Sequence, residues 1–414
     1  MGSKQSVHSA KKSIWTIIVV LFCLGLCTYW LSAVLLERTQ SPDMAYFNYL
    51  ADAFLHGQTY INDPPATHDL TLYEGKWYVP FPPLPALLLL PAVFVNGTPH
   101  VNTVLLGIIM GSINIVLVFL ILQSLTVRGW TQLRSADNIW LVVLFSVGSV
   151  HWYMSTLGSV WFVSQICTLT FILLAVLCSI VSGSPLITGI ALALAILGRP
   201  HIILSYPLLL AIGIQDLREK MGKNHLREFK WGIIAFVPIV VSCIILLQYN
   251  YIRFENAFDF GYMSENVEDN LLSRDLLVYG QFNLYYVPHN VWAMLLAGPN
   301  WDNEFHMIVP NGEGMSLLIT TPALIYILNA RKRSLFVIGT WISLGLLLIP
   351  LLCYYNTGAQ QFGYRFSLDF MTPVMILLAI GAGNRVGWKL RILILVGVIV
   401  NAWGVWWFLN PNTF

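Results

Sequence analysis

Charge is what this sequence has least of. Asp, Glu, Lys and Arg make up 10% of its 414 residues, against about 25% in soluble domains, while 57% of the residues are hydrophobic. A water-soluble globule cannot hide that much apolar side chain, so a bilayer is the solvent for most of the chain. Cysteine is sparse as well: Cys23, Cys27, Cys167, Cys178, Cys243 and Cys353 all fall in apolar stretches and show no paired spacing outside them. That excludes a disulfide framework and a CxxC metal site. No DxD or HxxH spacing occurs in the polar loops, so neither a metal nor a cofactor is expected, and no nucleic-acid partner.

Uncharged apolar stretches recur along the whole length, at 14–36, 101–125, 138–153, 161–182, 186–198, 200–214, 231–252, 316–329, 335–353, 367–383 and 392–409. The pattern predicts an all-α polytopic membrane protein of about eleven transmembrane helices, forming one domain over residues 1–414. With the N-terminus inside, 16 of the 22 Lys and Arg fall on the cytoplasmic side: Lys4, Lys11, Lys12, Arg128, Arg134, Arg218, Lys220, Lys223, Arg227, Lys230, Arg331, Lys332, Arg333, Arg385, Lys389 and Arg391. This is the asymmetry that the positive-inside rule requires. Of the 20 acids only Asp137, Asp216, Glu219 and Glu228 lie inside, which puts the chemistry on the outer face of a plasma membrane. Parity makes Pro83–Val95 a re-entrant or surface-lying helix, because a full span there would alternate the basic loops. The first span has a basic flank but too long an apolar core and no cleavage site after it, so it is expected to remain as an anchor.

Three outer excursions carry the polar and aromatic residues: 37–100, 253–315 and 354–366. In the first, Met44, Phe47, Leu50, Ala51, Phe54 and Leu55 stand at helical spacing before Gly57. They predict an amphipathic interfacial helix, capped by Ser41 with Pro42 in its first turn. Glu74-Gly75 between Leu72-Tyr73 and Trp77-Tyr78 predicts a tight hairpin. Asn96-Gly97-Thr98 fits the N-glycosylation pattern, for a host with that machinery.

Several groups in these excursions suit chemistry, each with a plainer alternative. Asp43, just outside the first span, suits a general base or merely complements a helix dipole. His68, Asp69, Tyr73 and Lys76 suit substrate hydrogen bonding or phosphate pairing, or else an interfacial belt. Arg199, in Gly198-Arg199-Pro200-His201, interrupts an apolar run and suits a cation for an anionic head group, or a tight outer turn reaching water. Arg253 follows Tyr249-Asn250-Tyr251-Ile252. With Gln360, Gln361 and Tyr364 it belongs to patches of aromatics, amides and charges suited to a sugar. Arg365 and Asp369, four residues apart, predict a local ion pair on one helix face, which occupies Asp369 and leaves Arg365 open. The acidic run Glu265-Asn266-Val267-Glu268-Asp269-Asn270 reads as a solvated loop.

In its single acid after the first span, its phrase from His68 to Pro83, its Gly-Arg-Pro break and its late Phe-Gly-Tyr-Arg-Phe-Ser-Leu-Asp-Phe, the chain resembles the bacterial GT-C-type glycosyltransferases. This superfamily depends on polyprenyl-phosphate sugars and includes protein mannosyltransferases and the lipid A aminoarabinose transferase. The resemblance runs from residue 14 to about 383 in layout. It implies a GT-C-like helix bundle with an outward-facing pocket, a polyprenyl-phosphate-linked sugar donor, and a lipid, glycan or protein acceptor, with membrane lipids around it. By position Asp43 takes the role of catalytic base for an inverting transfer, although many relatives carry two adjacent acids where this chain has Asp43 and Met44. Arg199, Lys76, Arg365 and His201 would hold the carrier phosphate. A transporter or flippase of a lipid-linked sugar, or a non-catalytic subunit binding a partner through 253–315, would use many of the same residues.

Overall fold

Apolar runs with few breakers should form helices wherever no proline or glycine intervenes, and the computed structural model follows that rule closely. It describes residues 2–267, 271–303, 306–331 and 333–409. Glu268, Asp269, Asn270 and Lys332 lie outside the described residues, as do the side chains of Lys4, Lys11 and Lys12.

Helix α1 (Gly2–Leu35) leads into the first polar excursion, which holds α2 (Tyr46–Leu55), the strands β1 (Thr71–Tyr73) and β2 (Lys76–Tyr78), and α3 (Leu84–Asn96). Then come α4 (Thr103–Val127), α5 (Ser135–Val147), α6 (His151–Ser155), α7 (Val160–Val181), α8 (Pro185–Ile196), α9 (Tyr206–Met221) and α10 (His225–Phe254). The second excursion carries α11 (Leu271–Tyr279), α12 (Val287–Leu295) and the strands β3 (Asn300–Asp302) and β4 (Met307–Val309). The short α13 (Leu317–Thr320), α14 (Leu335–Cys353), α15 (Met371–Gly381) and α16 (Trp388–Leu409) complete the chain.

Among the described residues seven helices are long and apolar enough to cross a membrane, and α3, α5 and α8 are shorter apolar helices. Several of the eleven predicted spans are therefore interrupted. Residues 316–329 are α13 followed by a 3-10 helix at Pro322–Asn329, because Pro322 removes a donor and pushes Thr321 out of helical geometry. The span at 367–383 opens with a 3-10 helix at Arg365–Phe370 before the 11-residue α15. The stretch 138–153 divides into α5 and α6. The predicted re-entrant segment is the 13-residue α3, about 20 Å long and short of the roughly 30 Å hydrocarbon core.

The interior is built on close helix crossings. Helix α8 meets α10 at Gly189, where a Cβ would collide with the Ala235 backbone carbonyl. The four acids assigned to the inner side are all in structural use. Asp137 accepts from the Arg134 and Val386 amides at 3.2 and 2.9 Å, and Asp216 pairs with Arg128 and Lys220. Glu228 takes both arms of Arg218 at 2.8 Å, and Glu219 accepts from the Trp130 indole at 2.8 Å.

Two expectations for the first excursion change. Helix α2 begins at Tyr46, and Ser41 does not cap it; the Ser41 hydroxyl accepts from the Thr103 amide at 2.9 Å instead. Ser41 thus ties the excursion to the start of α4, whose own cap is Asn102. Nor does the apolar face of α2 lie open to lipid, since Phe47, Leu50 and Ala51 are at most 1% exposed inside the protein. The hairpin forms as expected, with Thr71 opposite Tyr78 and with Glu74 and Gly75 at φ 48° and 72°. Both lie in the left-handed region that a two-residue turn of this kind needs.

Candidate active site

A cavity of about 1500 Å³ opens among the three polar excursions and two helix breaks. Its acids come from the excursions. Antiparallel pairing joins the strand before the hairpin to the second excursion: the Asp69 amide donates to the Asn266 carbonyl at 3.0 Å and the Asn266 amide to the Leu70 carbonyl at 2.8 Å. The Asn266 side chain adds a hydrogen bond to Thr67 Oγ1 at 2.9 Å. The Thr71 hydroxyl donates to the Gly261 carbonyl at 2.9 Å. Gly261 sits at φ 87°, where a Cβ would press on Phe254 and Thr71, so this approach requires glycine.

Through that pairing Asp69 and Glu265 both line the cavity. Asp69, at φ 58°, takes a left-handed backbone that Asp tolerates better than most residues. Its Oδ2 accepts from the Trp161 indole at 2.8 Å, and His68 Nε2 stands 3.7 Å from Oδ1. Burial raises the Asp69 pKa, opposed by His68, by the Trp161 hydrogen bond and by Arg365. Glu265 is pushed well above the ordinary glutamate range, first by burial and then by the Asp69 charge, with a Tyr355 hydrogen bond pulling the other way. The residue expected in a solvated loop is therefore a second acid of the cavity. Sequence alone gives no signal for it, because the pairing joins segments nearly 200 residues apart.

The cations come from the helix breaks. Pro200 forbids helical geometry at the residue before it, and Arg199 is accordingly extended at φ −149°, ψ 109°. Helix α8 ends at Ile196, and Arg199 and His201 reach the cavity lining. Arg199 Nε lies 3.2 Å from Asp369 Oδ2, with the guanidinium over the Phe366 ring. His201 Nε2 is 3.1 Å from the same oxygen. The predicted Arg365–Asp369 pair does not form, because the 3-10 winding of Arg365–Phe370 eclipses positions three apart rather than four. Arg365 lines the cavity and donates its Nε to the Gly358 carbonyl at 2.8 Å.

The remaining predicted residues divide. His68 and Gln360 line the cavity. Asp43 is exposed in a turn between two lining residues, Pro42 and Met44, with its own side chain outside the lining. Lys76 is exposed on the hairpin, its ammonium 4.7 Å from the Tyr60 ring centre, and Tyr73 packs against Phe254. Both stand away from the lining. Arg253 is buried under Tyr249 and Phe254, donating to the Val79 carbonyl and Asn250 Oδ1 at 2.7 Å. Gln361 is buried and ties the Thr357 and Glu313 carbonyls to the Arg365 amide. Tyr364 is fully buried. Among the described residues no group of three or more His, Cys, Asp and Glu converges as metal ligands do.

No protein-family model matches the sequence, and no curated protein matches it. Among solved structures, the chain is similar to ArnT from Cupriavidus metallidurans bound to undecaprenyl phosphate, at 14% identity and a TM-score of 0.45 over 89% of this chain and 59% of that one. ArnT in the apo state gives 14% and 0.45 over 90% and 59%. The archaeal oligosaccharyltransferase AglB from Archaeoglobus fulgidus, in complex with an inhibitory peptide and a dolichol-phosphate, gives 12% and 0.44 over 98% and 56%. The chain thus spans less than two thirds of the length of each.

Proposed function

We propose that this chain is an inverting membrane glycosyltransferase that moves a sugar from a polyprenyl-phosphate donor to a hydroxyl on a lipid, glycan or protein acceptor outside the cytoplasm. In this reading it crosses the plasma membrane about eleven times with its N-terminus inside, using α5, α8 and the interrupted stretches 316–329 and 367–383 as well as the seven long helices, with α3 re-entrant. The observation that carries the proposal is one cavity lined by Asp69 and Glu265 from the outer excursions and by Arg199, His201 and Arg365 from the helix breaks.

The chemistry needs both sets of groups. A carboxylate takes the acceptor's hydroxyl proton as its oxygen bonds to the anomeric carbon; the bond from that carbon to the phosphate oxygen breaks, and the electron pair leaves with the phosphate. The departing group gains negative charge, and preorganised cations stabilise it. We assign the base to Asp69, supported by its place in the lining and its hydrogen bond from Trp161. Asp43, the residue chosen by position in the sequence, is its rival. Arg199 and Arg365 serve the phosphate, and His68 and Gln360 serve the sugar or acceptor. The carrier would be of the same class as the undecaprenyl phosphate and dolichol-phosphate held by the two similar structures.

The test is turnover by the purified full chain in detergent, where a transporter has no second compartment to fill. Release of polyprenyl phosphate from a short-chain polyprenyl-phosphate sugar, dependent on an added acceptor, is the expected result. Binding of the donor without release would make the chain a carrier or flippase.

A further inference from the structure

The transfer as described leaves one buried charge without a task. Asp369 is 4% exposed, and a carboxylate in such surroundings is costly unless its charge is met. Here three side chains meet it. Gln165, from α7, donates its Nε2 to Oδ1 at 3.2 Å, while Arg199 Nε at 3.2 Å and His201 Nε2 at 3.1 Å converge on Oδ2. The two that share one oxygen both line the cavity. An ionised carboxylate only accepts, so His201 donates from Nε2 and its tautomer is set by this contact. Arg199 faces Asp369 through Nε, the nitrogen nearest its stem, as an ion pair without a hydrogen bond, and among the described residues its terminal amino groups donate to no side chain or carbonyl.

Charge gives the arrangement a second consequence. The donor's phosphodiester carries one negative charge, whereas the phosphate monoester it leaves behind carries about 1.5 to 2 near neutral pH. Two uncompensated guanidinium groups, Arg199 and Arg365, would therefore grip the product more tightly than the donor, and release would limit turnover.

We propose that Asp369 is a positioning residue that holds Arg199 and His201 side by side toward the carrier phosphate, and that its charge loosens their grip on the phosphate monoester so that the spent carrier leaves. This rests on the transfer reaction proposed above and adds to it the group that sets phosphate geometry and release.

The test uses the purified full chain and two readouts, steady-state kcat and KM with a short-chain polyprenyl-phosphate sugar and equilibrium binding of the matching polyprenyl monophosphate. Asp369→Asn keeps the shape and removes the charge. It is expected to bind the monophosphate roughly threefold to tenfold more tightly and to lose at least tenfold in kcat without a rise in donor KM. Asp369→Glu should restore wild-type monophosphate affinity. Gln165→Leu, which keeps the charge but frees Oδ1, should lower kcat with monophosphate affinity unchanged. Should Asp369→Asn bind the monophosphate as wild type does, with kcat falling only in step with the folded fraction, Asp369 is structural and the proposal fails. If that variant does not fold, Gln165→Leu decides, and wild-type kcat there overturns the positioning role. A wild-type chain that neither transfers sugar nor binds monophosphate overturns the functional reading and this inference together. Normal transfer by wild type and by Asp369→Asn overturns the inference alone.

Discussion

At the scale of single residues, the acids Asp69, Asp43 and Glu265 are separable by rate and by pH. Asp69→Asn keeps size and most hydrogen bonding while removing the base, so turnover should fall about 10²–10⁴-fold with donor binding retained. Asp43→Asn should stay near wild type. The opposite pattern in the same assay would return the base to Asp43. Glu265 makes a different prediction. Its carboxyl is held well above the ordinary range, chiefly by burial, so the fold favours the protonated form. The stability this contributes is full below the ordinary glutamate pKa and is lost as pH rises through the raised value. Glu265→Gln removes that loss. Its Tm in detergent, relative to wild type, should therefore rise as pH increases above the ordinary glutamate range, and a difference independent of pH would show that Glu265 is not held protonated. None of this was legible from residue type. Glu265 reads as a loop acid because its burial depends on a partner strand nearly 200 residues away, whereas the charge at Arg199 announces itself by interrupting an apolar run.

Element by element, the legible features are those fixed by neighbouring residues, and the illegible ones depend on what an element packs against. Glu74-Gly75 names its own turn, and Pro200 names the helix break that turns Arg199 and His201 inward. The i, i+4 spacing of Arg365 and Asp369 misleads because the pairing rule presumes an α-helix, and that segment winds as a 3-10 helix. Ser41-Pro42 looks like a helix cap because the sequence does not show that Thr103 draws the hydroxyl away. The joint between the hairpin and the second excursion is the element-level feature open to test. Gly261→Ala must hold an alanine at φ 87° against Phe254 and Thr71. The backbone term alone costs about 1–2 kcal/mol, and the Thr71–Gly261 contact must also open. The variant should melt at lower temperature and lose activity, since the same joint brings Glu265 beside Asp69. Full activity with a lowered Tm would detach the joint from the site.

For the whole molecule, orientation decides which face of the membrane the cavity serves, and charge is the physical basis for assigning it. In the proposed orientation the inner loops hold 16 of the 22 basic residues. The four acids among them are consumed by pairing and capping: Asp216 by Arg128 and Lys220, Glu228 by Arg218, Glu219 by Trp130 and Asp137 by two backbone amides. Among the described residues these four acids are closed off in that way, whereas Asp69, Glu265, Arg199, His201 and Arg365 line one cavity. Single cysteines report the orientation directly. Lys76→Cys on the hairpin and Trp301→Cys in the second excursion are exposed positions, and so is Lys223→Cys between α9 and α10. The native cysteines should first be replaced, because Cys23 and Cys27 are themselves exposed on α1. In intact cells a membrane-impermeant maleimide should label positions 76 and 301 and spare 223 until the membrane is opened. Labelling of 223 alone would invert the topology. The cavity would then face the cytoplasm, and an acceptor outside it would be ruled out. Labelling of 76 without 301 would instead place an odd number of crossings between the two excursions, and the pairing of Asp69 with Asn266 could not exist in the membrane.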